Sequence, residues 1–293
     1  MLDTYAHGKG VLRDITSTTD LANGVRMPRL GLGTYRSAQG GEVEAAVKTA
    51  LDLGYRSIDT ASLYGNEEGI GRAVAESGLP REEVFVTSKV GNSEQGYDSA
   101  LQALARSLRR LRTSYLDLYL IHWPQPQTPE SWQMTLETWR AMERAYAEGS
   151  VRAIGVCNFL ENHLERLAQA SETRPMVNQY EFHPWLQQPS LGSYCDAHGI
   201  VAEAWAPVMK GRVAEVPELV LIAETHRKSP AQVAIRWILQ HGMVAIPKSV
   251  HRERMDENAD VFDFELSREE MAMIDLLDRG ARLGPHPDRG GAR

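Results

Sequence analysis

Four side chains with complementary acid–base chemistry follow short apolar segments of this chain. Asp59 ends the segment YRSID, Tyr64 lies in the loop after it, Lys89 ends VFVTSK and His122 follows LDLYLI. An ammonium group stabilises a phenolate, so a neighbouring Lys89 is expected to lower the pKa of Tyr64 from about 10 toward the working range. With Asp59 keeping the lysine charged and His122 donating a hydrogen bond, the four groups would polarise and protonate a carbonyl oxygen.

Each of these residues also has an ordinary structural explanation when it is considered alone. A loop tyrosine is usually a packing residue, a lysine after an apolar run is usually solvated, and a histidine beside a tryptophan is usually structural. Their placement at the ends of successive predicted strands favours the functional interpretation, because the carboxyl ends of parallel barrel strands meet at one rim.

Short β-rich segments alternate with amphipathic segments of helical length. Strict alternation predicts parallel pairing through right-handed crossovers, and eight such units in 293 residues fit a (β/α)8 TIM barrel of the α/β class. An open doubly wound sheet is the alternative, but it would favour a G-x-G-x-x-G turn, and GLGTYRS lacks the third glycine. The predicted strands are LGLGTY (30–35), YRSID (55–59), VFVTSK (84–89), LDLYLIHW (116–123), VRAIGVCN (151–158), MVNQY (176–180), IVAEAW (200–205) and MVAIPK (243–248).

The pattern predicts a single domain over residues 16–283, because no linker-like stretch interrupts the alternation. Ahead of the first barrel strand, Asn23-Gly24 is typical of a hairpin turn between two short strands. Residues 1–15 and 284–293 are predicted to be polar tails that are poorly ordered or draped over the surface.

Composition and charge argue against several function classes. The chain is 42% apolar and 24% charged with a formal net charge of −7, which is typical of a soluble globular protein. An acidic chain with a pI of about 5.8 is not expected to bind nucleic acid or a membrane surface. No signal peptide or membrane span is evident, and two cysteines without a C-x-x-C motif favour a reducing cytoplasm.

A set of ordered motifs resembles the signatures of the aldo-keto reductases, from about residue 20 to 280. The resemblance implies a (β/α)8 barrel whose bottom is closed by a β-hairpin, NADPH as cofactor, no metal, and a catalytic tetrad of Asp59, Tyr64, Lys89 and His122. The motifs are GLGTY (31–35), GYRSIDTASLYGNEEGIGRA (54–73), TSKV (87–90), LIHWP (120–124), GVCNF (155–159), NQYEFHP (178–184) and IPKSV (246–250).

In such an enzyme a hydride passes from the nicotinamide to a carbonyl carbon, and Tyr64 protonates the oxygen as general acid. The expected substrates are aldehydes and ketones, including dicarbonyls or keto-sugar acids such as 2,5-diketo-D-gluconate. The run AWAP with Trp205, and the short C-terminal stretch ARLGPHPDRGG, are similar to the bacterial branch that contains the diketogluconate reductases. A short tail suggests an open and fairly shallow substrate pocket.

The expected nicotinamide contacts come from the ends of strands five to seven. The amides of Asn158 and Gln179 can pair with the nicotinamide carboxamide, although without the resemblance ordinary loop polarity would be the favoured explanation. Trp205 stands where most relatives carry a stacking tyrosine, and its indole can stack in the same way. The resemblance also places Thr34 among the cofactor contacts.

The segment IPKSVHRERMDEN (246–258) matches the family's adenosine-phosphate site. Two cations and a hydroxyl around a dianion favour NADPH over NADH, whereas a solvated charge run is the alternative interpretation. The resemblance selects Lys248, Ser249 and Arg254 for the 2′-phosphate, and Glu257 and Asn258 for the adenine.

The substrate pocket is expected to be lined by Tyr35, Trp123 and His183. Two other functions are less favoured than catalysis by the four acid–base residues and the IPKS pattern. One is a nucleotide-sensing barrel that regulates a partner protein, and the other is a metal-dependent barrel hydrolase, for which the chain lacks a His-x-His ligand set. A monomer that acts on a small-molecule carbonyl compound is the expected form.

Overall fold

Short buried strands and amphipathic helices alternate along the chain, as the sequence pattern predicts. The computed structural model of the protein describes residues 12–289. Its strands are β1 (Thr18–Asp20), β2 (Arg26–Pro28), β3 (Leu32–Gly33), β4 (Ser57–Asp59), β5 (Phe85–Val90), β6 (Leu118–Ile121), β7 (Ile154–Cys157), β8 (Val177–Glu181), β9 (Val201–Trp205) and β10 (Val244–Ala245).

The helices fall between these strands and after the last one. They are α1 (Gly41–Asp52), α2 (Glu67–Ala75), α3 (Tyr97–Arg110), α4 (Pro129–Ala147), α5 (Glu161–Ala168), α6 (Pro189–Ala197), α7 (Pro217–His226), α8 (Pro230–Gln240), α9 (Arg252–Ala259) and α10 (Arg268–Asp275). Within the described range, no helix has both the length and the apolar character to cross a membrane.

The eight strands β3 to β10 pair in sequence order as one parallel sheet. Parallel bridges between Leu30 and Ala245 and between Gly33 and Lys248 join the first strand to the last. The predicted (β/α)8 barrel is therefore confirmed. At this seam the ladder is short, which is why β3 and β10 are shorter than the sequence predicts.

A close approach of two backbones explains the glycines at the seam. A Cβ atom on Gly33 would lie 2.8 Å from the carbonyl oxygen of Ile246, too near for any residue with a side chain. The glycines of GLGTY thus allow the first and last barrel strands to meet. They do not form a phosphate-binding turn.

The predicted hairpin is formed by β1 and β2, which pair antiparallel with Thr18 opposite Pro28. Leu21 and Met27 from this hairpin are buried in a cluster with Phe85, Leu118 and other residues that begin the barrel strands. The hairpin therefore seals the amino-terminal end of the barrel and excludes water from the interior beneath the opposite rim.

The C-terminal half adds α7 before α8, and α10 at the end of the chain. Ser267 caps α10 by accepting a hydrogen bond from the Glu270 backbone, and the Glu270 carboxylate accepts one from the Ser267 backbone. The indole of Trp237 in α8 donates to Asp275 of α10 at 2.8 Å. These contacts fix the last helix against the barrel wall and set the direction of the chain that follows it.

Because the hairpin seals the amino-terminal end of the barrel, substitutions of two methionines should differ strongly in their effect on stability. Met27→Ala removes a side chain that is 0% exposed, and it should lower the free energy of unfolding by about 2–5 kcal/mol. Met273→Ala on α10, where the side chain is 36% exposed, is the matched control and should change it by less than about 0.5 kcal/mol. Urea denaturation followed by circular dichroism measures both free energies of unfolding. Equal losses in the two variants would contradict a sealing role for the hairpin.

Candidate active site

Neighbouring strands bring the four predicted acid–base residues to the carboxyl-terminal rim. Asp59 is the last residue of β4, Lys89 lies near the end of β5, and His122 directly follows β6. Tyr64 ends a single turn of 3-10 helix (Ser62–Tyr64) in the loop after β4. Because β4, β5 and β6 are adjacent and parallel, their ends face the same mouth.

Lys89 and Asp59 form a fully enclosed ion pair. The lysine ammonium lies 2.7 Å from each carboxylate oxygen of Asp59 and donates to the carbonyl oxygen of Thr60 at 2.9 Å. Lys89 is 0% exposed, and the ion pair satisfies the charges that burial would otherwise leave unsolvated. The ammonium is thereby held at a fixed point beneath the rim.

Tyr64 sits directly over this ion pair, between two other rings. Its ring centroid is 5.2 Å from the Lys89 ammonium, 5.6 Å from the His122 ring and 5.1 Å from the Tyr35 ring. The ammonium is close enough to the phenol for its positive charge to stabilise the ionised form. The structure therefore brings together all four residues that the sequence singled out.

The expected lowering of the Tyr64 pKa is wrong. Burial of the hydroxyl end raises the pKa of Tyr64 above its ordinary value, and the lowering by Lys89 is smaller than this rise. Burial alone would lower the pKa of Lys89, but the charge of Asp59 and the neighbouring Tyr64 raise it overall. At neutral pH the site accordingly holds a protonated phenol beside a charged ammonium.

His122 is neutral in this environment. Burial, and then the positive charge of Lys89, lower the pKa of His122 to about 3. Its Nδ1 atom is buried without a hydrogen-bond partner among residues 12–289, which leaves Nε2 as the nitrogen available to the mouth of the barrel. A neutral imidazole at this position can donate a hydrogen bond without giving up a proton.

Gln179 links the ion pair to a second buried carboxyl group. Its amide nitrogen donates to Asp59 at 2.8 Å and to Glu203 at 2.7 Å. The sequence suggested a nicotinamide contact for Gln179, and the structure directs its amide nitrogen to these two carboxyl groups inside the barrel. Glu203 was not selected from the sequence, although a lone acid within the apolar strand IVAEAW is a recognisable signal.

Asn158 and Trp205 lie together where the nicotinamide contacts were expected. The Trp205 indole donates to the Asn158 side-chain oxygen at 2.8 Å, and the Asn158 amide nitrogen donates to the His122 carbonyl oxygen at 3.0 Å. Asn158 has a φ of 64°, a left-handed conformation that is uncommon outside glycine and often marks a functional site. The pair lies at the same rim, at the ends of β7 and β9.

Thr34 braces the first two barrel strands at the rim. Its hydroxyl donates to the Asp59 carbonyl oxygen at 2.8 Å. The Asn66 amide, which was also missed from the sequence, donates to the Thr34 carbonyl oxygen at 3.0 Å and accepts a hydrogen bond from Thr60. These bonds fix the loop that carries Tyr64.

The segment after β10 presents two cations beside a helix terminus. Lys248 and Arg254 are exposed, and neither is ion-paired within the part of the chain that the structure describes. Ser249 is buried in the same segment, and the start of α9 has no side-chain cap, so no capping side chain accepts from its first N–H groups. The same helix holds Glu257, half-buried, and Asn258, buried.

The expected substrate-pocket residues occupy different environments. Tyr35 is 46% exposed beside Tyr64, and Trp123 is buried. His183 is 0% exposed, and its Nε2 atom lies 3.1 Å from a carboxylate oxygen of Glu181. The ring of His183 therefore lies under the surface and does not line an open pocket.

The C-terminal strap, defined here as residues 283–289, is bound to Glu181, the partner of His183. Glu181 accepts hydrogen bonds from the backbone N–H groups of Leu283 and Gly284. A Cβ atom on Gly284 would come within 2.5 Å of the Trp205 ring, so the strap lies directly against the indole. Further along, the Asp288 carboxylate lies 2.9 Å from His163.

Comparison with known proteins agrees with this geometry. Residues 29–279 match the model of the aldo/keto reductase family. The chain belongs to the aldo/keto reductase family. It is an oxidoreductase of the bacterial branch that the sequence suggested.

Several relatives are similar over nearly the whole chain. The sequence is 52% identical to the glyoxal reductase of Bacillus subtilis, covering 94% of this chain and 97% of the relative. It is 43% identical to the methylglyoxal reductase DkgA of Escherichia coli, covering 92% and 97%. A solved structure of a Gox0644 mutant in complex with NADPH superposes with a TM-score of 0.87 at 43% identity, covering 94% and 99%.

The buried ion pair predicts a non-additive loss of stability. Lys89→Met leaves the Asp59 carboxylate buried without its counter-ion, and it should lower the free energy of unfolding by about 3–5 kcal/mol. The double variant Asp59→Asn, Lys89→Met should lose less than the single one, because no unpaired charge remains. Denaturant titration of the single and double variants measures this, and strictly additive losses would refute the coupling.

Proposed function

We propose that this protein uses NADPH to reduce aldehydes and ketones to alcohols, with small dicarbonyl compounds as its principal substrates. The observation that carries the proposal is the protonated phenol of Tyr64, held over the Lys89–Asp59 ion pair and beside the neutral ring of His122. A proton donor, a hydrogen-bond donor and a fixed positive charge thus lie at one mouth. Together these groups can stabilise the oxyanion that forms when a carbonyl carbon accepts a hydride.

The residues present fit a phosphorylated dinucleotide. Lys248 and Arg254 have no carboxylate partner among the described residues, and they flank the uncapped start of α9, an arrangement suited to a phosphate dianion. On the far side, Trp205 offers an aromatic face next to the Asn158 amide. When bound, NADPH would supply the hydride for reduction.

Tyr64 acts as the general acid in the proposed mechanism. Because burial raises its pKa, the phenol keeps its proton at neutral pH until negative charge develops on the substrate oxygen. As the proton leaves, the Lys89 ammonium stabilises the phenolate that remains. His122 donates a hydrogen bond to the same oxygen. Because its pKa is low, the ring is neutral at the working pH and carries no extra proton to transfer.

The substrate class is inferred from relatives and from the shape of the rim. The relatives named above are reductases of glyoxal and methylglyoxal, and both match this chain over almost their full length. Tyr35 supplies an exposed aromatic wall within reach of Tyr64. Keto-sugar acids such as 2,5-diketo-D-gluconate are the second class, and a comparison of kcat/KM for methylglyoxal and diketogluconate decides between the two.

Tyr64→Phe tests the general acid. Removal of the proton donor should reduce kcat for methylglyoxal reduction by about 10²–10⁴-fold, since general acid catalysis contributes on that order. The NADPH dissociation constant, measured by fluorescence, should stay within about twofold, because the hydroxyl is not a phosphate or carboxamide contact. Tyr115→Phe, which removes a hydroxyl at the opposite end of the barrel, is the control. A Tyr64→Phe enzyme with the wild-type rate would disprove the assignment.

Arg254→Ala tests the phosphate site. Loss of a charge-assisted hydrogen bond should raise the KM for NADPH about tenfold or more, while the KM for NADH should change by less than about threefold. Arg252→Ala is the matched control, since Arg252 is an exposed arginine on the same helix. If both cofactors were affected equally by Arg254→Ala, the 2′-phosphate contact would be excluded.

A further inference from the structure

Glu203 is a buried acid inside the barrel, outside the four acid–base residues of the site. It lies in β9 opposite Gln179 of β8 and is 1% exposed. An ordinary barrel interior is filled with apolar side chains, and an uncompensated carboxylate there is costly. Its only side-chain hydrogen bond in residues 12–289 comes from Gln179, and its Oε1 atom has no partner in that range.

Gln179 connects Glu203 to the reacting end of the site. The two N–H bonds of one amide nitrogen are divided between Asp59 and Glu203, while the amide oxygen faces the Cys157 sulfur at 3.5 Å. Rotation of the amide would break both carboxyl contacts. The orientation of the Asp59 carboxylate is thus coupled to the presence of Glu203 through one shared group.

The surroundings favour the uncharged form of Glu203 at neutral pH. Burial, followed by the negative charge of Asp59 on β4, raises the pKa of Glu203 to about 8, against smaller lowering effects from Gln179 on β8 and Lys89 on β5. Cys157 on β7 is a neutral thiol, because burial raises its pKa. The neighbouring residues of β10 are Val244 and Ala245, which carry no charge.

We propose that Glu203 is a positioning residue for carbonyl reduction: through Gln179 it orients the Asp59 carboxylate, and its charge state adjusts how strongly the Asp59–Lys89 pair supports the Tyr64 phenolate. This inference rests on the proposed function of the site. When Glu203 is neutral, Asp59 alone balances Lys89. When Glu203 is ionised, a second negative charge opposes formation of the phenolate.

The expected direction of the pH shift in Glu203→Gln can be worked out for alcohol oxidation, the reverse of carbonyl reduction. Alcohol oxidation needs the Tyr64 phenolate as base, so kcat rises as pH increases. In the wild-type protein Glu203 ionises before Tyr64, and the tyrosine then titrates against an added negative charge. In Glu203→Gln that charge is absent, so the rise of kcat with pH should move to lower pH by on the order of one unit, transmitted through Gln179 and Asp59.

The pH profile of kcat for alcohol oxidation with NADP⁺ is the deciding measurement. At pH 6, where Glu203 is uncharged in the wild type, Glu203→Gln should retain at least a third of the wild-type carbonyl-reduction rate. The proposal would be overturned if kcat rose over the same pH range in the variant as in the wild type, or if the variant lost the same fraction of its rate at every pH. A purely structural role for Glu203 gives one of these two results.

A matched control separates charge at the site from the loss of any buried carboxylate. Asp117 is 1% exposed and pairs with Arg81 and Arg152 at the amino-terminal end of the barrel. Asp117→Asn should lower stability without changing the pH range over which kcat for alcohol oxidation rises. An equal shift of this range in both variants would count against Glu203.

If Glu203→Gln does not fold, the wild-type protein still decides the question. A buried protonated carboxyl gives an infrared carbonyl band that a carboxylate lacks, and this band should be present at pH 6 and lost between about pH 7 and 9. Absence of the band at pH 6 would overturn the proposal. A wild-type protein without carbonyl reductase activity would instead refute the proposed function, and the infrared titration would be unaffected.

Discussion

The ion pair between Lys89 and Asp59 is the interaction on which the rest of the site depends. Both groups are removed from water, and desolvation of two charges is repaid only when every hydrogen bond is made with good geometry. Lys89 meets this condition with both Asp59 oxygens and the Thr60 carbonyl oxygen. The pair therefore fixes β4 against β5 and places a permanent positive charge under Tyr64.

The barrel architecture is what makes such a pair possible. Parallel strands deliver residues distant in sequence to one rim, and the hairpin with Leu21 and Met27 closes the other end against water. Low local dielectric strengthens each charge–charge interaction at the rim. It also produces the opposite pKa shifts of Tyr64 and His122, which leave one ring to donate a proton and the other only a hydrogen bond.

Much of this arrangement is predictable from the sequence, and the exceptions share a physical cause. Alternation of apolar segments gives the barrel, and residue type with position at a strand end gives the four acid–base groups. The effect of enclosure on Tyr64 was not predictable, since burial depends on how the loop carrying Asn66 folds over the rim. The surroundings of His183 likewise include Glu181, which is bound by backbone groups about a hundred residues later in the C-terminal strap.

The C-terminal strap also determines how the molecule can be attached to a surface. Residues 283–289 run across Trp205 and reach His163, beside the mouth of the barrel. The hairpin lies at the far end. A surface linker attached to the strap would act on the indole face, whereas one attached to the hairpin would turn the mouth toward solution.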